Sequence, residues 1–372
     1  MDETTVPAPQ GPLFDPRQRL KLGIFGTNVS NGCSISTAPS SFQPTWAHNL
    51  EIAQQADALG LEALVPVGRW KGFGGVTDFN GECMEVYTWA AALAARTERI
   101  MVFATSHVPT VHPIFAAKQA ATIDHISAGR FGINIVCGWF TPEMEMFGAR
   151  QLEHDERYAR ATEWVQVCRR LWREQDFDYA GRYYQVRGGY LLPKPLRPGG
   201  PVLINAGVSP AGIDFAAREM DVNFAIVGDL EQGRAAIAAT RAKAREYGRE
   251  IRIMTSAAMV CRDTEAEARR DWQRIVEQGD YGALENLLST FGVQSRSMTE
   301  AESRALTERF IVGWGGYPLV GTPEQVVAEM DRLADIGVDI LLLSWLDYLP
   351  ELQHFGAEVL PLMQQAGLRA PI

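Results

Sequence analysis

Short apolar runs and longer amphipathic stretches alternate along nearly the whole chain. The apolar runs predict strands over 21–26, 61–67, 100–105, 129–138, 202–207, 222–227, 251–260 and 339–345. Apolar residues at helical spacing predict helices over 45–59, 83–96, 113–126, 156–174 and 323–336, with a closing helix near 352–365. The first helix ends at Gly60, and Ala56-Asp-Ala-Leu-Gly-Leu-Glu-Ala-Leu64 is echoed by Ala334-Asp-Ile-Gly-Val-Asp-Ile-Leu341. In both, glycine stops a helix and an apolar–acidic pair begins a strand. Eight such units predict an α/β fold, a closed (β/α)8 TIM barrel. The alternative is a doubly wound open sheet with an appended domain, but no G-x-G-x-x-G follows a strand and no G-x-x-x-x-G-K-[ST] occurs.

Three stretches depart from this rhythm. Residues 1–19 are Pro-rich and acidic at the start, and predict a flexible tail ahead of a single domain over 20–372. Residues 177–198 carry Tyr179, Tyr183, Tyr184 and Tyr190, and predict a β-hairpin or extended excursion. A polar, helical stretch over about 264–320 falls between the seventh and eighth strands, where it predicts a rim insertion and lid.

The fourth strand has two unlike faces. Alternation puts Phe131, Ile133, Ile135 and Cys137 on one side, and Gly132, Asn134, Val136 and Gly138 on the other. The second face is small and carries an amide, which suits close approach of backbone or ligand. Trp139 and Glu143 follow directly, so a binding site is expected where this strand ends.

Charge and composition narrow the function classes. A net charge of −10 and pI near 5.2 argue against a nucleic-acid surface. No run of 18 apolar residues predicts a membrane span, and the start lacks a signal-peptide pattern. Five scattered cysteines without a CxxC fit reduced thiols in a cytoplasm. Six histidines show no HxH or HExxH grouping, so no metal centre is expected. No G-x-S-x-G nucleophile elbow occurs.

In a barrel of this kind the active site lies at the C-terminal strand ends. Those ends supply Gly68, Arg69, Thr105, Asn134, Trp139, Glu143, Gly207 and Ser209. Ser209 before Pro210 is a natural helix N-cap, and Gly207 lets a ligand approach the free N–H groups there. That is either a phosphate site or an ordinary cap. Arg157 and Tyr158, at a helix start, are either further phosphate donors or a charged first turn. His107 and His112 straddle the loop after the third strand, within reach of a substrate or in structural roles. Glu143 and Glu145 diverge around a methionine and form no acid–base pair; a glutamate after a loop proline is ordinarily solvated.

Together, Ala128-Gly-Arg130, Asn134-Ile-Val-Cys-Gly-Trp139, His154-Asp-Glu-Arg-Tyr158 and Gly321-Thr-Pro-Glu-Gln325 resemble the bacterial luciferase-like flavin monooxygenases. The nearest branch holds the dimethylsulfone, dibenzothiophene-sulfone and pyrimidine-ring-opening monooxygenases, and the resemblance runs from about Lys21 to Met363. It implies a two-component FMNH2-dependent monooxygenase that uses O2 on a small organic substrate, with C–S or C–N cleavage. A separate NAD(P)H:flavin reductase would supply the reduced FMN. Carried over by position, Gly68, Arg69, Asn134 and Glu143 line the flavin, and Arg157, Tyr158, Gly207 and Ser209 take its phosphate. Thr105 and Asn134 hold oxygen, with Trp139 walling that pocket. The resemblance also implies a homodimer or homotetramer. Cys33, His107 and His112 depart from these relatives and are candidate substrate positions. A deazaflavin-dependent oxidoreductase and a non-catalytic flavin-binding protein share the same barrel and are the alternatives.

Overall fold

The computed structural model describes residues 11–291 and 299–371. Its strands are β1 (Lys21–Phe25), β2 (Ala63–Val65), β3 (Met101–His107), β4 (Phe131–Val136), β5 (Phe177–Ala180), β6 (Gln185–Gly189), β7 (Val202–Asn205), β8 (Val222–Phe224), β9 (Arg252–Cys261), β10 (Tyr317–Gly321) and β11 (Ile340–Ser344). The helices are α1 (Trp46–Ala58), α2 (Val86–Ala94), α3 (Pro113–Ile126), α4 (Thr141–Met146), α5 (His154–Arg173), α6 (Pro210–Glu219), α7 (Leu230–Glu246), α8 (Glu265–Glu277), α9 (Tyr281–Phe291), α10 (Glu300–Gly313), α11 (Pro323–Asp335), α12 (Tyr348–His354) and α13 (Leu360–Gln365). A π turn, Phe355–Val359, joins the last two, so the closing helix is interrupted.

β1, β2, β3, β4, β7, β8, β9 and β11 pair in parallel around a closed ring, and β11 returns to β1 with Ile340 opposite Lys21. The expected barrel is therefore present. β5 and β6 form the hairpin expected over 177–198. β10 is an addition. β8 pairs with β9 only over Arg252–Met254, and β10 takes the vacated edge from Ala257 to Cys261. Pro318 obscures this strand in the sequence, because a missing N–H is tolerated mainly on an edge strand.

Strand alternation builds the two cores. Ala63, Val65, Met101, Phe103, Val202, Ile204, Val222, Met254, Ile340 and Leu342 fill the barrel. Leu22, Ile24, Val102, Phe131, Ile133 and Ile135 instead pack outward against the helices. Gly132 has to be small: a Cβ there would lie 2.1 Å from the Phe103 ring. Leu13, on a short 3-10 turn (Pro12–Phe14), joins the interior core with no exposure. Residues 11–19, expected within a flexible tail, are thus anchored, and Gln18 accepts a hydrogen bond from Ala370 N at 2.9 Å. Residues 1–10 of that tail lie outside the described residues.

Between β9 and β10, α8, α9 and α10 build a third core on the barrel rim. Trp272, Ile275, Leu284, Leu287, Ile311 and Val312 pack there with Ile35, Phe73, Phe79 and Phe140 from the loops below. Leu287 and Ile311 are fully buried, each contributing roughly 1.5–3 kcal/mol. Main-chain bonds add to this seat: Ile35 N donates to Ile311 O, Asp280 N to Ile35 O and Thr37 N to Gln278 O. Residues 292–298 of the expected insertion lie outside the described residues. No described helix is long and apolar enough to cross a membrane.

Candidate active site

The C-terminal ends of β2, β3 and β4 bring one group of side chains together. Thr105 and His107 are inward positions of β3, two residues apart, and Asn134 lies opposite Thr105 on β4. Thr105 Oγ1 donates to Pro66 O at 2.6 Å and accepts from Asn134 Nδ2 at 3.2 Å. Asn134 Oδ1 is buried without a partner. A buried orphan acceptor carries a penalty of about 1–3 kcal/mol unless something donates to it, so it marks a place made for a ligand or water.

Arg69 and Glu143 form the charged centre beside that pair. α4 begins with Thr141-Pro142, a proline in the first helical turn, and this short helix turns Glu143 inward to 1% exposure. The solvated carboxylate expected after a loop proline is therefore a buried one. Glu143 Oε1 accepts from Arg69 Nη1 at 3.3 Å and from Trp70 N at 2.6 Å, and Oε2 lies 3.6 Å from His107 Nε2. Burial, with the Arg69 charge beside it, pulls His107 down to about 3, so its ring is neutral at pH 7. Burial also works against the Arg69 charge, which Glu143 supports. The guanidinium sits 4.7 Å from the Phe73 ring, 5.1 Å from Trp139, 5.5 Å from Phe140 and 5.7 Å from Trp314. Trp139 stacks on Phe73 at 6.1 Å and 15°. Glu145 is exposed and takes no part.

A second group lies at the start of α6. Ser209 Oγ caps the helix by accepting from Gly212 N at 3.1 Å. The Tyr158 hydroxyl is adjacent: burial raises it, and its hydrogen bond to Ser209 acts the other way. Arg157 Nη1 donates to Gly138 O at 2.8 Å, while its Nε is buried without a partner. A Cβ on Gly207 would lie 2.6 Å from Asn205 Oδ1 and 2.7 Å from Gly212 Cα, so only glycine fits this cradle. An N-terminal helix turn with two hydroxyls and a guanidinium nearby suits an anion.

Asn205 and Asn223 are functional scaffolding that sequence reading misses. Asn205 Nδ2 donates to Ile135 O at 2.6 Å and its Oδ1 accepts from Gly207 N at 2.8 Å. Asn223 Nδ2 donates to Asn205 O and Gly207 O, both at 3.2 Å. These amides tie β4, β7 and β8 together under the cradle. Single asparagines at strand ends carry no spacing signal.

Two candidates stand apart from both groups. Cys33 is 1% exposed, its thiol directed at Phe25 O at 3.6 Å, and burial pushes it up to about 12. Tyr348 donates to the same carbonyl at 2.6 Å, so Cys33 packs the first loop against α12. His112 is the exposed N-cap of α3, where its Nδ1 accepts from Ile114 N at 3.3 Å. His107 alone of the three substrate candidates joins the central group. Among the described residues, no cluster of three or more His, Cys, Asp or Glu is placed to hold a metal ion.

Comparisons agree with this architecture. Residues 21–340 match the family model of luciferase-like monooxygenases. The chain is 32% identical over 360 residues to the FMNH(2)-dependent dimethylsulfone monooxygenase of Pseudomonas fluorescens, covering 95% of this chain and 97% of that one. It is 33% identical over 353 residues to the pyrimidine monooxygenase RutA of Enterobacter cloacae, covering 93% and 96%. The solved EDTA monooxygenase of Chelativorans superposes with a TM-score of 0.83 at 24% identity, covering 95% of each chain, a likeness of fold. The chain thus belongs to the luciferase-like monooxygenase family and is a flavin-dependent monooxygenase.

Proposed function

We propose that the enzyme takes reduced FMN from a separate NAD(P)H:flavin reductase and uses O2 to oxidise a compact organic substrate, breaking a C–S or C–N bond. The observation that carries this reading is the pairing of an unsatisfied Asn134 acceptor and Thr105 with a glycine-lined anion cradle in one barrel mouth. Both features fit the group. Ser209, Tyr158 and the spare Nε of Arg157 would hold the FMN phosphate, with Gly207 giving it room. Gly68, Arg69 and Glu143 would line the ring, and bound reduced flavin would supply the two electrons that activate oxygen. The second Nδ2 hydrogen of Asn134 would donate to the oxygen, Thr105 would fix that amide in place, and Trp139 would exclude water beside it.

Substrate class is drawn from relatives named for dimethylsulfone and pyrimidine. The mouth of this chain is compatible with neutral molecules, since Glu143 offsets Arg69 and His107 is uncharged. α8–α10 would act as the lid, seated on the loops around the mouth. A homodimer or homotetramer is supported by exposed apolar side chains, Phe115 on α3 and Tyr190, Leu192 and Leu196 beside it. Lys118 and His125 of α3 bond the 192–194 backbone, so these side chains share one face. Five free thiols suit a cytoplasmic setting.

Stopped-flow mixing of the protein and reduced FMN with oxygenated buffer tests the reading. Reoxidation that differs from free flavin and responds to sulfones or pyrimidines is expected. Behaviour identical to free flavin, with no FMN binding on titration, would overturn it.

A further inference from the structure

Of the four rings around the Arg69 guanidinium, one comes from the insertion. Phe73 belongs to the loop after β2, Trp139 and Phe140 follow β4, and Trp314 caps the C-terminus of α10. The Trp314 backbone is left-handed, with φ 49° and ψ 44°, a conformation that bulky side chains rarely adopt. A helix stop of this kind ordinarily takes glycine. Here Gly313, Gly315 and Gly316 flank the position, yet the tryptophan occupies it.

The neighbouring strands fix this turn. A Cβ on Gly313 would lie 2.2 Å from Ala258 Cβ on β9. Arg309 donates to Gly315 O, to Gly316 O at 3.2 Å and, beyond the end of β8, to Val227 O at 3.4 Å. A strained residue held by so many contacts points to a use for its side chain.

The ring reaches the end of the barrel interior. Phe25, at the end of β1, packs with the interior core and meets Phe224 of β8 edge-on at 5.5 Å. Trp314 lies 6.2 Å from Phe25 with the two rings 30° apart, and edge-to-face contact with Phe79 at 5.6 Å ties it to the rim core. Leu287, Ile311 and Val312 of that core are buried, but Trp314 and Phe25 are half-buried. Ile226, two residues past Phe224, is 67% exposed. Uncovered apolar surface at the mouth of a packed barrel is surface suited to a ligand.

We infer that Trp314 is a specificity-determining residue: with Phe25 it forms the platform on which substrate lies, selecting an uncharged, flat, unsaturated ring such as a pyrimidinedione over a tetrahedral sulfone. The inference rests on the flavin-monooxygenase reading above. A flat ring meets an indole across a whole face, whereas a tetrahedral molecule touches it at a few atoms. Glu143 offsets the Arg69 charge, which favours a neutral guest. Arg69 Nε is buried without a partner and supplies a donor for a ring carbonyl.

Calorimetric titration of the protein with saturating oxidised FMN, where no turnover occurs, tests this with three probes: uracil, 5,6-dihydrouracil and dimethylsulfone. The first two carry the same N–H and C=O groups, but only uracil is flat and unsaturated. The wild-type protein is expected to bind uracil about tenfold more tightly than either of the others. Trp314→Leu should bring uracil and 5,6-dihydrouracil to within about twofold of each other, and Trp314→Phe should keep most of the difference. A merely structural tryptophan would leave that ratio unmoved. Trp314→Met repeats the measurement should Trp314→Leu fail to fold. Wild-type protein that binds no uracil, or binds it no better than the other probes, would overturn the inference. A ratio unchanged in a folded Leu or Met variant would overturn it as well. Failure of the wild-type protein to bind FMN would instead remove the reading beneath it.

Discussion

Asn134 gives its amide N–H to Thr105 and leaves its own carbonyl oxygen without a donor, both residues buried at the inner end of the barrel mouth. Thr105 in turn spends its proton on Pro66 O. The pair is therefore fixed in orientation, with one open acceptor. Asn134→Ala is expected to leave FMN affinity within about threefold while most reduced flavin is oxidised without product. Parallel assays of hydrogen peroxide and product check this, and full coupling in the variant would remove Asn134 from the oxygen site.

Ser209 serves the fold and, in the proposed site, the ligand. Ser209→Ala should lower stability by about 1 kcal/mol through the lost cap. It should also weaken FMN by about tenfold, the scale of one charge-assisted hydrogen bond, and riboflavin much less. Titrations with the two flavins separate these effects; equal losses would leave Ser209 as a cap only.

His107 makes stability depend on pH in a defined direction. Above about 6.5 both folded and unfolded chains hold it neutral, and it contributes no pH dependence. Between about 6.5 and 3 the unfolded chain binds a proton that the folded chain refuses, so stability falls as pH falls. His107→Gln should flatten the urea-unfolding curve in that window by up to about 1.4 kcal/mol per pH unit. A slope unchanged from wild type would mean that His107 titrates normally in the folded protein.

Asp280 fastens the insertion to the loop after β2. It accepts from Thr77 N at 2.7 Å, Thr77 Oγ1 at 2.8 Å and Ala283 N at 3.1 Å. Burial pushes its carboxyl up, but these donors outweigh it and hold the group below its usual value. Asp280→Ala should speed proteolytic cleavage in the Gly72–Phe79 loop several-fold and lower coupling, while far-UV circular dichroism stays near wild type. Cleavage at the wild-type rate would show that the apolar core alone holds the insertion.

The barrel was legible because its signals repeat. Glycine closed one helix after another, and the two faces of β4 could be separated by residue size alone, Gly132 and Asn134 against Ile133 and Ile135. Glu143 was not legible as a buried group: its fate depends on α4, six residues long, and on Arg69, 74 positions away. Asn205 and Asn223 escaped for a similar reason, since their partners are backbone atoms of β4, β7 and the turn at Gly207. Cys33 and His112 were singled out by their departure from relatives. That says nothing of direction, and the structure points one thiol at a carbonyl and leaves one ring as a helix cap.

The insertion grips the first loop partly through main-chain atoms: Ile35 both donates to Ile311 O and accepts from Asp280 N, and Thr37 N reaches Gln278 O. Backbone contacts of this kind are blind to side-chain identity. The Ile35 side chain can therefore be exchanged for another apolar one without breaking these bonds, whereas the hydroxyls of Ser34 and Ser36, which donate to Ile311 O and Ile275 O, are part of the grip itself. Positions of this loop that make neither kind of contact are the ones left free to vary while the insertion keeps its place.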